Sequence, residues 1–514
     1  MMEGAVKIVP VKPEKPLLGK SNFDAERLIT SLHSITHKKT LIIDRSLWAK
    51  LPYILRRRET LYALLQEGER EIYLVELFEV LPLQILGCAI DIGSTTIAFY
   101  VYDFLHDRVL EEFSIYNPQI EIGDDILTRL HFARKEENLQ FLRRKTLDAI
   151  NRELSRFPTG SIYYLSICGN TAMTHFLLGL PVNFLIVEPY VPVMKWIPLL
   201  KAEEVEVEIN PLAKVFFFPL AGTYFGGDLI AGLYEVELNQ KDGFSFYLDV
   251  GTNAEVVLGN RDFLLACAGA AGPALEGGIF ECGVRAMPGA IESCKWDPES
   301  ATIHYRTIGG LKPVGFCGSA AISLIAEAFL HGFISPEGKL LPQTLPERIT
   351  TLDGERVLFL LPKEATAHGR PLYIKEGEIR SFLRSKGTMY TILSLLCEKV
   401  GLSFEEIDFF YVAGSFGNHI DIRSAVILGM LPEEALNRAV SLGNSAGKGA
   451  LKFLRKASFE DIKSIIDTIT YIELNVEKRL MELLTGALLI PHIDLDRFPW
   501  VKKQIEEKRR CFRR

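Results

Sequence analysis

The chain of 514 residues is 48% hydrophobic, 24% charged and 10% aromatic, an ordinary globular balance that excludes a disordered, collagen-like or disulfide-scaffold protein. Its net charge of −7 counts against a general nucleic-acid binder, and its eight cysteines include no CxxC pair, which removes the common zinc and thioredoxin-type signatures. The most apolar stretch, 182–200, is interrupted by Glu188, Lys195, Pro189, Pro192 and Pro198, and the lysine-bearing start lacks the apolar core of a secretory signal, so a cytoplasmic protein with no membrane partner is expected.

At roughly 150 residues per domain, two to four domains are expected. Residues 1–20 hold prolines at 10, 13 and 16 and lysines at 7, 12, 15 and 20, which reads as an extended lead-in. Residues 21–33 read as a helix capped by Ser21 or Asn22, with Leu28, Ile29 and Leu32 at helical spacing. Apolar runs then alternate with a basic helical stretch at 51–65, so that 1–86 reads as a small α/β unit with no catalytic pattern. Residues 86–103 read as strand, tight turn, strand. A helix capped by Asp124 is expected over 124–157, and a strand at 163–168 runs into Gly169-Asn170-Thr171 and a further helix. Between 218 and 290 lie 13 of the chain's 40 glycines, a density that marks turns and close backbone approaches. Helices are expected at 316–332, 378–400 and 447–457, and a strand at 408–413 enters Gly414-Ser415-Phe416-Gly417. The tail 501–514, with seven Lys/Arg against two Glu, reads as a frayed, solvated end.

The strongest pattern is an internal echo. Asp91-Ile-Gly93-Ser94-Thr95-Thr96 and Asp249-Val-Gly251-Thr252-Asn253 each follow an apolar strand and lie about 160 positions apart. A strand ending in Asp places a carboxylate at the turn, where it can hold Mg²⁺ through water. The glycine allows a tight turn whose N–H and hydroxyl groups can face phosphate oxygens. A single D-x-G-T is usually only a hairpin turn, but two copies with matched flanks favour a pair of phosphate hairpins facing one nucleotide. The strand into Gly414 supplies a third element, a turn against which a ribose or base can lie. Asp228, in Gly226-Gly227-Asp228-Leu229, is either a helix cap or a carboxylate that orients water. Glu276 and Glu281 sit near a glycine cluster, where a solvated loop is the plainer reading. Asn170 reads first as a helix cap. Lys448 is not a P-loop lysine, because Gly449 follows it where Ser or Thr is required.

In this order of motifs the sequence resembles the ASKHA superfamily of actin, Hsp70 and sugar kinases, α/β proteins with two ribonuclease H-like lobes and ATP between them. Asp91–Thr96 then looks like the first phosphate motif, with Asp91, Gly93, Ser94, Thr95 and Thr96. Asp249, Gly251, Thr252 and Asn253 look like the second, and Gly414, Ser415 and Gly417 like the adenosine motif, with Ser415 replacing the usual second glycine. Gly226, Gly227, residues 268–278, residues 281–292 and Gly443–Gly449 narrow the resemblance to the reductive activators of corrinoid proteins. It covers about 87–490, and 1–86 is similar to that family's linker region. The resemblance implies a linker-like domain at 1–86, a first lobe at 87–217 and a second at 218–514, with Asp91, Asp249 and Asp228 serving ATP turnover and the first two binding Mg²⁺.

It also implies that ATP hydrolysis coupled to lobe closure returns a Co(II) corrinoid protein of a methyltransferase system to Co(I). Relatives carry a [2Fe–2S] domain before the linker, whereas cysteines 88, 168, 267, 282, 294, 317, 397 and 511 have no C-x4-C-x2-C spacing. No iron–sulfur cluster is therefore expected in this chain, and electrons are expected from a separate low-potential ferredoxin. Cys282 and Cys294 could bridge a homodimer through a cluster, as in the dehydratase activators of the same superfamily. Two isolated cysteines at that spacing read more simply as buried small apolar residues. A metabolite kinase on the same fold, and a non-catalytic ATP-binding regulator, are the competing functions.

Overall fold

The computed structural model describes residues 4–18, 23–36, 39–251, 254–269, 278–297, 302–414, 420–474 and 477–511. The chain divides into two compact units, Met1–Glu235 with Ser445–Asp467, and Val236–Asn444 with Thr468–Arg514. This differs from the expected division at 217/218: helix Ser445–Lys456 packs on the first unit's sheet, and helix Gly227–Val236 lies against that helix where Ala231 meets Gly449.

In the first unit, strands β1 (Val6–Val11), β2 (Thr40–Ile43), β3 (Leu61–Glu67) and β4 (Glu71–Phe78) form a sheet in the order β1-β3-β4-β2. The lead-in is therefore extended, but as a strand paired antiparallel to β3, and Lys7 and Lys15 bond Glu67 and Glu59 at 3.1 and 2.6 Å. The expected helix at 51–65 stops at Arg57. From Leu61 the chain is a strand with side chains buried on both faces, so it carries no alternation to distinguish it from a helix. Its far end is held by Gln66, whose Nε2 donates to Tyr163 O at 2.8 Å and Leu212 O at 3.0 Å.

The larger sheet contains β5 (Leu86–Ile92), β6 (Thr96–Asp103), β7 (Arg108–Tyr116), β8 (Ile162–Gly169), β9 (Leu200–Lys201) and β10 (Lys214–Phe217) in the order β7-β6-β5-β8-β10-β9. β5, β6 and β7 are antiparallel neighbours, and β5, β8 and β10 run parallel. The expected helix at 124–157 is two helices, Ile126–Phe132 and Glu136–Leu154. The cap of the first is Asp125, whose carboxylate accepts from Thr128 N at 2.8 Å, rather than Asp124. Leu139, Leu142 and Ile150 of the longer helix join Ile90, Leu165 and Phe176 in one apolar core. Helix Ser445–Lys456 packs against β5 and β8, with the Phe453 ring stacked on Phe216 at 4.0 Å.

The second unit repeats the pattern. Its main sheet contains β11 (Phe244–Val250), β12 (Ala254–Gly259) and β13 (Leu264–Gly269). Two small sheets follow, from β14 (Ala290–Asp297), β15 (Thr302–Thr307) and β16 (Gly315–Phe316), and from β17 (Ile349–Leu352), β18 (Glu355–Leu361) and β19 (Leu372–Lys375). β20 (Ile407–Ala413), β21 (Ala439–Gly443) and β22 (Ile469–Ile472) then complete the main sheet in the order β21-β20-β11-β12-β13-β22. Reversed, β13-β12-β11-β20-β21 matches β7-β6-β5-β8-β10 strand for strand, with the same parallel and antiparallel senses. Helices Gly318–Leu330 and Glu376–Val400 supply much of this unit's core. As far as Cys511 the tail is ordered rather than frayed: Pro499–Cys511 is helical, Val501 is fully buried, and Trp500 N donates to both Glu433 oxygens at 2.8 and 2.9 Å. Its positive charges leave an apolar stripe that docks, so a charge count alone misjudged it.

Candidate functional site

In the first unit the candidate residues gather where β5, β8 and β10 end. Asp91 is the penultimate residue of β5, opposite Ala98 in β6 and Cys168 in β8. The Cys168 thiol donates to its Oδ1 at 3.7 Å. Beyond it the hairpin closes with Gly93 N donating to Thr96 O at 2.9 Å. Three successive carbonyls of the tip are taken up from behind. Asn117 Nδ2 donates to Gly93 O at 2.8 Å, Arg129 Nη1 to Ser94 O at 2.7 Å, and Asn117 N to Thr95 O at 2.8 Å. Among the described residues the amide N–H groups of Ser94 and Thr95 have no hydrogen-bond partner. Ser94 and Thr95 are half-buried and Thr96 is exposed. Neither Asn117 nor Arg129 stood out in the sequence. The Asn-Pro step at 117–118 is a turn signal, while nothing marks Arg129 as other than a helix-surface residue, although it is fully buried.

Asn170 caps helix Thr171–Leu178 by accepting from Met173 N at 2.9 Å. Gly226 lies against it: a Cβ there would stand 2.4 Å from Asn170 Cα and 2.7 Å from Asp228 Oδ1, so only glycine permits the approach. Gly227 opens helix Gly227–Val236 beside Phe218 O, just past β10. Asp228 stands in that helix's first turn, where it accepts from Leu229 N at 2.8 Å. The structure thus gathers Asp91, Gly93, Ser94, Thr95, Thr96, Gly226, Gly227 and Asp228 at the carboxyl ends of parallel strands, where α/β sheets bind ligands. Buried His175 extends this region: Nδ1 lies 2.7 Å from Thr171 O, Nε2 accepts from Val193 N at 3.2 Å, and burial pushes its pKa down.

The second unit carries candidate residues on the same plan. Asp249 is the penultimate residue of β11, opposite Glu255 in β12 and Ala413 in β20. Tyr247 Oη donates to its Oδ2 at 3.5 Å. Gly414 follows β20 with φ of +84°, and a Cβ there would stand 2.6 Å from Val250 O and 2.7 Å from Asp249 Oδ1. Asp249, Gly251 and Gly414 are therefore neighbours along two adjacent strand ends. Thr252, Asn253, Ser415 and Gly417 lie outside the described residues, as does Glu276.

Other sequence candidates have structural partners. Glu281 is ion-paired with Lys375 and accepts from Tyr373 Oη at 2.6 Å, and the Lys375 hydrogen bond holds its carboxyl below the usual range. Lys448 is a residue of helix Ser445–Lys456, not of a phosphate-wrapping loop. Burial pushes the Cys294 thiol up to about 12 and raises that of Cys282. Among the described residues no group of three or more His, Cys, Asp or Glu side chains is placed to hold a metal ion. No described helix is long and apolar enough to cross a membrane.

A strand order repeated in two units, with an aspartate hairpin at the same place in each, defines an ASKHA-type protein, a nucleotide-binding class. Residues 86–241 match the RACo middle region and residues 243–502 the C-terminal domain of RACo, the ASKHA domain. The chain belongs to this family, the reductive activators of corrinoid proteins. It is 31% identical over 413 residues to the corrinoid activation enzyme RamQ of Eubacterium limosum, covering 77% of this chain and 69% of that protein. It is 26% identical over 270 residues to the [Co(II) methylated amine-specific corrinoid protein] reductase of Methanosarcina barkeri, covering 48% of this chain and 45% of that one. Among solved structures, a reductive activator for corrinoid, iron–sulfur protein superposes with a TM-score of 0.86 at 31% identity, over 97% of this chain and 81% of its own.

Proposed function

We propose that this protein hydrolyses ATP to drive the one-electron reduction of an inactive Co(II) corrinoid protein to Co(I), the state competent for methyl transfer. The observation that carries the reading is the duplicated aspartate hairpin, found within matches to both RACo regions. Asp91 and Asp249 supply hard carboxylate oxygens of the kind that hold Mg²⁺ through its waters, which suits Mg²⁺ bound to nucleotide phosphates. Ser94 and Thr95 present amide and hydroxyl donors to phosphate oxygens. Asp228, at the helix start beside Gly226, orients the attacking water. Gly414 lets the nucleoside lie close to the backbone. ATP binding and hydrolysis shift a conformational equilibrium, and the corrinoid partner binds one state better, which is the form energetic coupling takes.

The electron enters from a donor outside these 514 residues, a low-potential ferredoxin-like protein. The cysteine spacings fit no ferredoxin-type cluster. Cys88, Cys168, Cys267, Cys282, Cys294, Cys317 and Cys397 are free thiols, as suits the cytoplasm.

The test is ATP turnover by the full chain with and without a Co(II) corrinoid protein, under anaerobic conditions. Stimulation by the corrinoid protein is expected. Turnover that requires a small hydroxyl acceptor instead would make the protein a metabolite kinase, and ATP binding without turnover under any condition would make it a regulator.

A further inference from the structure

The first hairpin has a buried polar foundation that no sequence motif announced. Arg129 is fully buried midway along helix Ile126–Phe132 in the first unit. Its Nη1 donates to Ser94 O at 2.7 Å, its Nε to Gly123 O at 2.7 Å and its Nη2 to Asp124 O at 3.4 Å. One guanidinium therefore joins the hairpin tip to the segment that leads into helix Ile126–Phe132. Asn117, 1% exposed, takes the carbonyls on either side, at Gly93 and Thr95. Asn117 is itself fixed, because its Oδ1 accepts from Gln119 N at 3.0 Å and buried Gln119 Nε2 donates to Thr146 Oγ1 at 2.8 Å.

The consequence follows from peptide geometry. The C=O of one residue and the N–H of the next lie on opposite sides of the same planar group. Holding the carbonyls of Gly93 and Ser94 inward therefore turns the N–H groups of Ser94 and Thr95 outward. A short turn left to itself samples other peptide orientations, and each mobile donor weakens anion binding by the entropy lost in ordering it. A planar fork of five donors fixes several carbonyls at once, which a lysine ammonium does only as a point charge.

We infer that Arg129 and Asn117 are positioning residues that hold the first hairpin in its anion-accepting form, and so set affinity for the phosphates of ATP rather than for the nucleoside. This rests on the reading of residues 91–96 as a phosphate hairpin.

The experiment measures Kd for Mg·ATP and for adenosine by calorimetry on the full chain, for the wild type and for Arg129→Gln, Arg129→Lys, Asn117→Asp and Thr95→Glu, with thermal unfolding of each. Arg129→Gln is expected to weaken Mg·ATP by about tenfold or more, the scale of one charge-assisted hydrogen bond, with adenosine unchanged. Arg129→Lys, which keeps the charge and part of the bonding, should recover some of the loss. Asn117→Asp places an oxygen against Gly93 O with little change of volume, and should show the same selectivity for ATP should Arg129→Gln not fold. Thr95→Glu sets a carboxylate at the tip and should abolish ATP binding. Equal loss of ATP and adenosine in folded Arg129 and Asn117 variants would make their role merely structural and overturn the inference. Wild-type ATP affinity in those variants, with Thr95→Glu inactive, would overturn it while leaving the phosphate hairpin intact. Undisturbed ATP binding by Thr95→Glu would overturn both.

Discussion

The ends of β5 and β11 are the same device set in different surroundings. In each, an aspartate stands one residue before the end of a strand, and the next strand in the sheet runs parallel and reaches a glycine at its end or one residue beyond. Asp91 is opposite Cys168, before Gly169; Asp249 is opposite Ala413, before Gly414. The surroundings diverge from that point. In the first unit the glycine leads through Asn170 into a capped helix, and Gly226 and Asp228 close against it. In the second, Gly414 adopts a left-handed φ directly against Asp249. The second unit also inserts six strands and two long helices between β13 and β20, where the first places only helices and turns between β7 and β8. What is repeated is the pair of strand ends that can present a carboxylate and a close backbone; what differs is the bulk around them.

The sharpest way to break this equivalence is at the two carboxylates. Asp91→Asn and Asp249→Asn are each expected to lower ATP turnover by about a hundredfold or more, since each removes a charge that the proposal assigns to Mg²⁺. Both variants should retain wild-type thermal unfolding. Cys168→Ala, which makes the first strand end resemble the second, should leave turnover within about twofold, because a weak thiol donor is all it removes. A large loss from only one aspartate, measured as steady-state phosphate release, would show that the two hairpins have different tasks.

A smaller effect compares the units by pH. Each contains a histidine kept neutral by its surroundings. Burial lowers the pKa of His175 in the first unit; in the second, burial together with Arg497 and Lys386 pushes His492 down to about 4. For such a group the unfolded chain binds a proton before the folded one does. Stability is therefore full above the ordinary histidine value of 6.5 and falls as the pH drops from there toward about 4. Thermal unfolding followed over that range should show the decline, and His492→Gln should flatten its part of it. An unchanged pH profile in His492→Gln would remove that histidine from the account.

The strand ends were legible in the sequence because a tight turn beside a carboxylate restricts residue types: an aspartate, a glycine and small hydroxyl residues stand together at each, which suits the proposed phosphate contact. Gly226, Gly227 and Asp228 are legible in the same way, as consecutive residues where two elements meet closely. The helix boundaries around 51–65 and 124–157 were misread because buried strands and consecutive helices share one apolar pattern. The helical tail was misread because its charges hide Val501, which is buried. Arg129 and Asn117 were invisible for a different reason. Their work is done through backbone carbonyls, which impose no recurring side-chain pattern on the residues they hold. The return of helix Ser445–Lys456 to the first unit is a matter of topology, which spacing along the chain does not encode.

The most direct test of the central claim follows the Co(I) absorption of a cognate corrinoid protein under anaerobic conditions, with this chain, Mg·ATP and a reduced low-potential ferredoxin, omitting each in turn. Co(I) is expected only when all are present, and not with Asp91→Asn or Asp249→Asn. Co(I) formed at the same rate without ATP, or formed with ATP but no added protein donor, would contradict the account.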